Sequence, residues 1–548
     1  MFADGRTVPA GEAVRTHVCV VGAGPAGITV AKRLADAGVE VVLIERGAGA
    51  GTGKREDLGN SVNVGIPYVV DKARGTGFGG ALNKWLTQTP LGDGFGRLRE
   101  YAADDFLERS WIPDSGWPFA KDHLAPYYRR ARRWFDVDWP SEDPYEDWDA
   151  QLAVTPICAS EKEPIRSHVY AFAEPGFLAS DCRRALDSSE KVLALTHSTA
   201  ISLVTDPGGS SISAVEVATD SGRFRVVSSL VVLAAGALEN ARLLLVSRDV
   251  HEKGVGNPND VVGRYFMEHP RFTSGFVVPS DLLRSDESIW DIHMRDGVPV
   301  QRKFRFSPEF CARASLPNSI FFFRRKAWTP DFEAAQRAVR DYRAITAARE
   351  FVTYLPNRRL PSRPLRRVRD LAVAPHAIVR AAKQHKDHPT MEREGRTTSD
   401  LLTIEVMAEQ VPNPASRIRL HRRRDRFGVP KAAVEWRLSD FDLGAAARAQ
   451  TIFEGILVGK GLGEVYSLLR EDEIPPHIHS ADHHMGTTRM HRDPRRGVVD
   501  VNCAVHGVAN LYIGGPSVFP TGGEANPTLT IVAMSLRLSD HIIARLDG

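Results

Sequence analysis

The chain has 548 residues, too many for one compact core, so two or more structural units are expected. It is 43% hydrophobic and 25% charged, with a net charge of +3. That balance is ordinary for a globular enzyme, and the chain as a whole is not built to bind nucleic acid. Its five cysteines (Cys19, Cys158, Cys182, Cys311 and Cys503) form no CxxC and no Cys/His cluster with metal-ligand spacing. Scattered thiols in odd number fit a reducing compartment. Met1–Arg15 lacks a basic start followed by an apolar run, and no apolar stretch reaches the ~18–20 residues that span a bilayer. The expectation is a cytoplasmic protein without a membrane span.

In chain order, Val18–Glu45 reads as strand, tight turn, helix and strand. Val18–Val21 and Val39–Ile44 are short apolar runs suited to buried parallel strands. Ala26–Ala37 has helical composition and stops at Gly38. The turn Gly22-Ala23-Gly24-Pro25-Ala26-Gly27 fits GxGxxG. The first glycine permits the turn, the second lets a pyrophosphate approach the backbone, and the third lets helix pack on strand. Glu45 ends the second strand and is placed to bond adenosine ribose hydroxyls, with Arg46 beside it. This context predicts dinucleotide binding but leaves FAD and NAD both open.

Arg74–Trp85 is glycine-rich, with Gly75, Gly79, Gly80 and Asn83 as candidate cofactor contacts. Ile201–Val217 reads as a hairpin preceding a second buried strand, Val226–Ala235, and Leu511–Ile513 reads as a third sheet strand before Gly514-Gly515. Ala200, Ala235, Gly236, Gly514 and Gly515 are further candidate contacts at strand ends. Between them, residues 331–395 carry 14 Lys/Arg and 8 Asp/Glu. The plain reading is a solvated helical surface or lid; the sharper one is a docking face, at 331–396, for an acidic partner or membrane headgroups.

Asp482-His483-His484-Met485-Gly486-Thr487 places two histidines beside a Gly-Thr turn. Asn526 is a good N-cap and Pro527 a good first residue for a helix over Thr528–Ile543, whose N-terminus would favour a negatively charged group in front of it. Neutral imidazole is the natural base for an alcohol proton. Only one of two adjacent side chains in extended chain can face a site.

These motifs, in this order, resemble the glucose–methanol–choline (GMC) oxidoreductases. HxxGT at His483–Thr487, then SVFPT at 517–521 and NPTLT at 526–530, carry the most specific part. Ala234–Leu243 and Val262–Pro270 resemble two further recurrent segments, and the likeness leans toward pyranose oxidases, glycoside 3-oxidases and membrane-associated sugar or polyol dehydrogenases. The resemblance implies an α/β protein: a doubly wound parallel-sheet FAD domain with an inserted α+β substrate domain on an antiparallel sheet. The expected division is 14–70, 190–270 and 497–548 for FAD, 71–150 as a flavin-facing connection, and 151–189 with 271–496 for substrate.

The resemblance also implies FAD, His483 as catalytic base, Asn526 as second catalytic residue, and Pro527 and Thr528 as cofactor contacts. Some members attach flavin through a histidine at the place of Lys84, so noncovalent FAD is expected. Many carry an aspartate at the place of Gly515; here backbone alone must serve. The implied reaction is oxidation of a CH–OH group of a sugar, glycoside or polyol, with O2 or another carrier taking the electrons. Gln410 and His484 are candidate substrate contacts, Glu268 and His269 could sit near the site but are expected to be a structural ion pair or packed histidine, and Cys503 a small buried residue. The alternatives are a lyase or isomerase on the same scaffold, or a non-catalytic FAD-binding protein. The absence of paired redox cysteines argues against a disulfide reductase.

Overall fold

A computed structural model describes residues 1–48, 61–66, 70, 73–85, 87–137, 144–152, 155–158, 163–175, 177–326, 332–355, 360–361, 363–379, 401–468 and 478–548. The expected strand–turn–helix–strand unit is present as Ala13–Val21, Pro25–Asp36 and Val41–Ile44. Its two strands pair in parallel, with Val18 opposite Val41 and Val21 opposite Ile44. Their all-apolar sequence follows from burial on both faces of a parallel sheet.

The eight-stranded sheet runs Phe2–Asp4, Val192–Thr196, Val41–Ile44, Ala13–Val21, Gly222–Leu233, Ile212–Thr219 and Thr199–Thr205, with Leu511–Ile513 paired to Gly222–Leu233. Thr199–Thr205 and Ile212–Thr219 are antiparallel, as the hairpin reading expected. Leu511–Ile513 lies beside Val231–Leu233 in parallel. Segments nearly 500 residues apart thus end at one edge, and the loops at Gly22, Ala235 and Gly514 leave the sheet side by side. That is the usual place for a ligand in an open α/β sheet.

The second sheet is mostly antiparallel and has ten strands. Its central order is Gly463–Ser467, Pro270–Pro279, Leu401–Ala408, Ser319–Lys326, Val298–Phe306, Ile165–Ala173 and Gly92–Leu98. One face packs Phe304, Phe321 and Phe323 against Phe453 of the helix Asp440–Gly459. The other face leans toward the active-site loops: Tyr170, Ile320, Phe322 and Met407 cluster with Ala481. The chemistry-bearing loops therefore lie between the edge of one sheet and the face of the other.

Asn526 does not act as the helix cap expected of it. The final helix spans Thr528–Asp547, Pro527 takes the cap position, and no side chain caps the terminus. The Asn526 amide is turned to another partner, and the first N–H groups of the helix are left for a ligand.

Candidate active site

A cavity of about 460 Å³ runs from the nucleotide turn to the C-terminal histidines. Gly22, Gly24, Ala26, Glu45 and Arg46 line one end. Gly75, Gly80, Ala200, Ala235, Gly236 and Gly515 line its middle, and His483, His484, Asn526, Pro527 and Thr528 its far end.

The three turn glycines separate cleanly by cause. A Cβ at Gly22 would fall 2.7 Å from Ala234 O, and one at Gly27 would fall 1.8 Å from Gly22 O. Both glycines are demanded by backbone packing. A Cβ at Gly24 meets nothing within 4 Å, because it would project into the cavity. Gly24 is therefore kept small for what occupies that space, at an uncapped helix N-terminus suited to a pyrophosphate. The cavity, the two bare helix N-termini and the glycine cradle all fit a flavin dinucleotide.

Glu45 lines the cavity and has a bracing role besides the ribose contact expected of it. Its carboxylate accepts from Ala23 N (2.9 Å), Gly47 N (2.8 Å) and Gly77 N (3.0 Å), so it first ties the glycine-rich loop to the nucleotide turn. Gly27, Gly79, Asn83 and Gly514 stand behind the cavity wall and do not line it. Gly79 N donates to Ala23 O, while Asn83 Nδ2 donates to Phe78 O at 3.0 Å. Gly514 N donates to Leu233 O. Asn240 fastens the Ala235 turn to this loop: Ala235 N donates to Asn240 Oδ1, and Asn240 Nδ2 donates to Ser517 Oγ.

At the far end, three side chains form a chain. Asn526 Nδ2 lies 3.0 Å from His483 Nε2, His483 Nδ1 lies 2.8 Å from His269 Nδ1, and His269 Nε2 lies 3.3 Å from Gly522 O. A carbonyl only accepts, so His269 carries its proton on Nε2. Its Nδ1 is then the acceptor, and His483 Nδ1 must be the donor. That leaves His483 Nε2 unprotonated, accepting from Asn526 and facing the cavity. Burial, followed by the charges at His269, His484, Lys303 and Arg97, holds His483 well below its ordinary pKa. Asn526 Oδ1 is buried without a partner, an acceptor left over for a hydroxyl.

Glu268 organises the histidines. Its Oε2 accepts from both His269 N (3.1 Å) and His483 N (3.0 Å), and Oε1 accepts from Ser480 Oγ (2.8 Å). His484 Nε2 lies 3.1 Å from Oε1, and its ring stands 5.6 Å from that of Phe266. Burial and the neighbouring Asp482 push Glu268 up to about 8. Burial, Arg74 and Lys84 push His484 down to about 3. Both shifts disfavour the charged forms of the two groups.

Gln410 is corrected from substrate contact to internal strut. It lies outside the cavity lining; its Oε1 accepts from Glu268 N (3.0 Å) and Trp436 Nε1 (2.8 Å), and its Nε2 donates to Arg437 O. His269, expected as a packed or ion-paired residue, is instead the partner of His483. The sequence signal available for it was the Met267-Glu268-His269-Pro270 run alone.

The fold and this site define a dinucleotide-binding oxidoreductase with an imidazole beside the ring end of its cavity. Residues 412–535 match the GMC oxidoreductase family and residues 15–61 the FAD binding domain family. The chain is 25% identical to the fructose dehydrogenase large subunit of Gluconobacter japonicus over 59% of its own length and 49% of that subunit. It is 23% identical to 2-methyl-1,2-propanediol dehydrogenase of Mycolicibacterium austroafricanum, over 98% and 96% of the two chains. It is 34% identical to C-glycoside 3-oxidase of Arthrobacter globiformis over 23% of each chain. The crystal structure of pyridoxine 4-oxidase from Mesorbium loti superposes with a TM-score of 0.53 at 15% identity, covering 96% of this chain and 99% of that one. By these matches the chain resembles the GMC-type FAD-dependent oxidoreductases.

Proposed function

We propose that the protein oxidises a CH–OH group of a sugar, glycoside or polyol to a carbonyl, with His483 as base. The observation that carries this reading is the Asn526–His483–His269 chain, which holds the unprotonated Nε2 of His483 toward the cavity. FAD, when bound, supplies the hydride acceptor. His483 Nε2 takes the hydroxyl proton, a contribution of about 10²–10⁴-fold. The new imidazolium keeps its Nδ1–H on His269, and Asn526 orients the substrate oxygen. Exclusion of charge from His483 keeps it neutral and ready before substrate arrives.

The sugar or polyol class is supported by what related proteins are named for: fructose, a propanediol and a C-glycoside. Noncovalent FAD is supported by Lys84, which lines the cavity where some members carry a linking histidine. Acid precipitation that leaves all flavin in the supernatant tests that point. The division 14–70, 190–270 and 497–548 for FAD, against 151–189 and 271–496 for substrate, is proposed on the same reading. A cytoplasmic location is supported by five free, buried cysteines; among the described residues no helix is long and apolar enough to cross a membrane.

The test is an anaerobic screen of sugars, glycosides and polyols followed by flavin absorbance, with air admitted afterwards. Bleaching by such an alcohol supports the reading, and rapid recolouring identifies O2 as the acceptor rather than another carrier. Conversion of substrate without bleaching would assign the scaffold to a lyase or isomerase instead.

A further inference from the structure

Among the described residues, seven of the fifteen exposed large hydrophobic side chains fall between Val352 and Val379. Val352, Leu365, Val368 and Val373 lie on the two helices of a hairpin, Phe332–Tyr354 and Pro364–Val373, within the basic insertion, and Leu355, Leu360 and Val379 lie just beyond the helix ends. The two helices pack antiparallel: Arg367 on the second meets Glu350 near the end of the first, and Ala374 and Ala377 meet Ala344 further back. Val352, Leu360, Leu365 and Val368 therefore gather at the hairpin tip, 74%, 62%, 87% and 53% exposed.

The polarity of this hairpin is reversed. Its inner seam holds an ion pair, Arg367 Nε to Glu350 Oε2 at 2.8 Å, with Asp370 3.5 Å from the same guanidinium. The remaining seam is mostly alanine. Its outer face holds the leucines and valines. A helix packed for water does the opposite, burying its aliphatic residues and exposing its charges. Clustered exposed aliphatics on a folded protein mark a surface that meets something apolar.

We propose that this hairpin tip docks peripherally on an anionic lipid surface. Arg363, Arg366 and Arg369 are exposed among the aliphatic residues, and residues 360–379 carry four arginines against one aspartate. Long cationic side chains interleaved with leucine and valine suit the boundary between headgroups and acyl chains. A protein partner fits less well. Among the described residues, the large hydrophobics exposed in this stretch are all Leu or Val rather than the aromatic anchors that dominate protein interfaces.

The experiment is co-sedimentation of the full-length, FAD-loaded protein with phosphatidylcholine vesicles, with and without phosphatidylglycerol. Wild type is expected to pellet with the anionic vesicles and to be released by salt. A Leu365→Ser/Val368→Ser double variant is expected to partition about tenfold less, and Arg366→Gln/Arg369→Gln about fivefold less per charge removed. Both are expected to keep the wild-type flavin spectrum. Wild type remaining in the supernatant with anionic vesicles overturns the proposal. So does binding that the Leu365/Val368 change leaves unaltered, or self-association, or capture of a purified acidic protein, that this change abolishes without any vesicle binding.

Discussion

The nucleotide turn, buried at the cavity, and the exposed basic hairpin differ in what their sequences commit to. At Gly22–Gly27 each small residue answers to a particular atom: Ala234 O, Gly22 O, or open cavity. In the hairpin, among the described residues, the inner face holds the Arg367–Glu350 ion pair and a few alanines, and the outer face exposes leucines and valines. The first region is shaped by a ligand that the fold surrounds. The second is shaped by surroundings the fold does not supply. Where every residue has an internal cause, substitution breaks chemistry; where the cause lies outside, substitution spares chemistry and changes location.

That contrast sets the order of expected effects. His483→Ala removes the proposed base and should lower turnover by about 10²–10⁴-fold while FAD stays bound, as steady-state rates and the flavin spectrum will report. His269→Ala removes the acceptor of the His483 Nδ1 proton, so the base loses its fixed tautomer; a drop in kcat of about tenfold, with little change in KM, is expected. Gly24→Val puts two methyl groups into the cavity and should leave much of the purified protein without flavin, read from the ratio of flavin to protein absorbance.

The smallest effect concerns pH. The folded protein holds the Glu268 proton up to about 8, whereas the unfolded chain releases it near the ordinary glutamate value. The resulting stabilisation is complete at acid pH and declines as pH rises through about 8. Thermal melts between about pH 6.5 and 8, above the range in which the histidine beside it titrates, should slope downward in wild type and flatten in Glu268→Gln. His484, held down near 3, acts in the opposite sense: its contribution is present above an ordinary histidine pKa and is lost as pH falls toward 3.

Much of the catalytic end was legible in the sequence because its residues sit in loops whose spacing is dictated locally. The GxGxxG turn and the His483 and Asn526 motifs could be read without any long-range contact. His269 could not, because its meeting with His483 depends on Glu268 accepting both backbone N–H groups across 215 residues of chain. Gln410 was misplaced for the same reason: its partners, Glu268 and Trp436, are set by how separate loops converge. Asn526 was read as a helix cap from local preference, and the imidazole of His483 outcompeted that role. The reversed hairpin escaped notice because net charge was visible and the direction each side chain faced was not.

The most direct test of the account is anaerobic stopped-flow mixing of wild type and His483→Ala with an alcohol that bleaches the wild-type flavin. The account predicts fast bleaching in wild type and bleaching at least about 10²-fold slower in the variant, with FAD retained in both. Equal bleaching rates would remove His483 from the role of base and contradict the account.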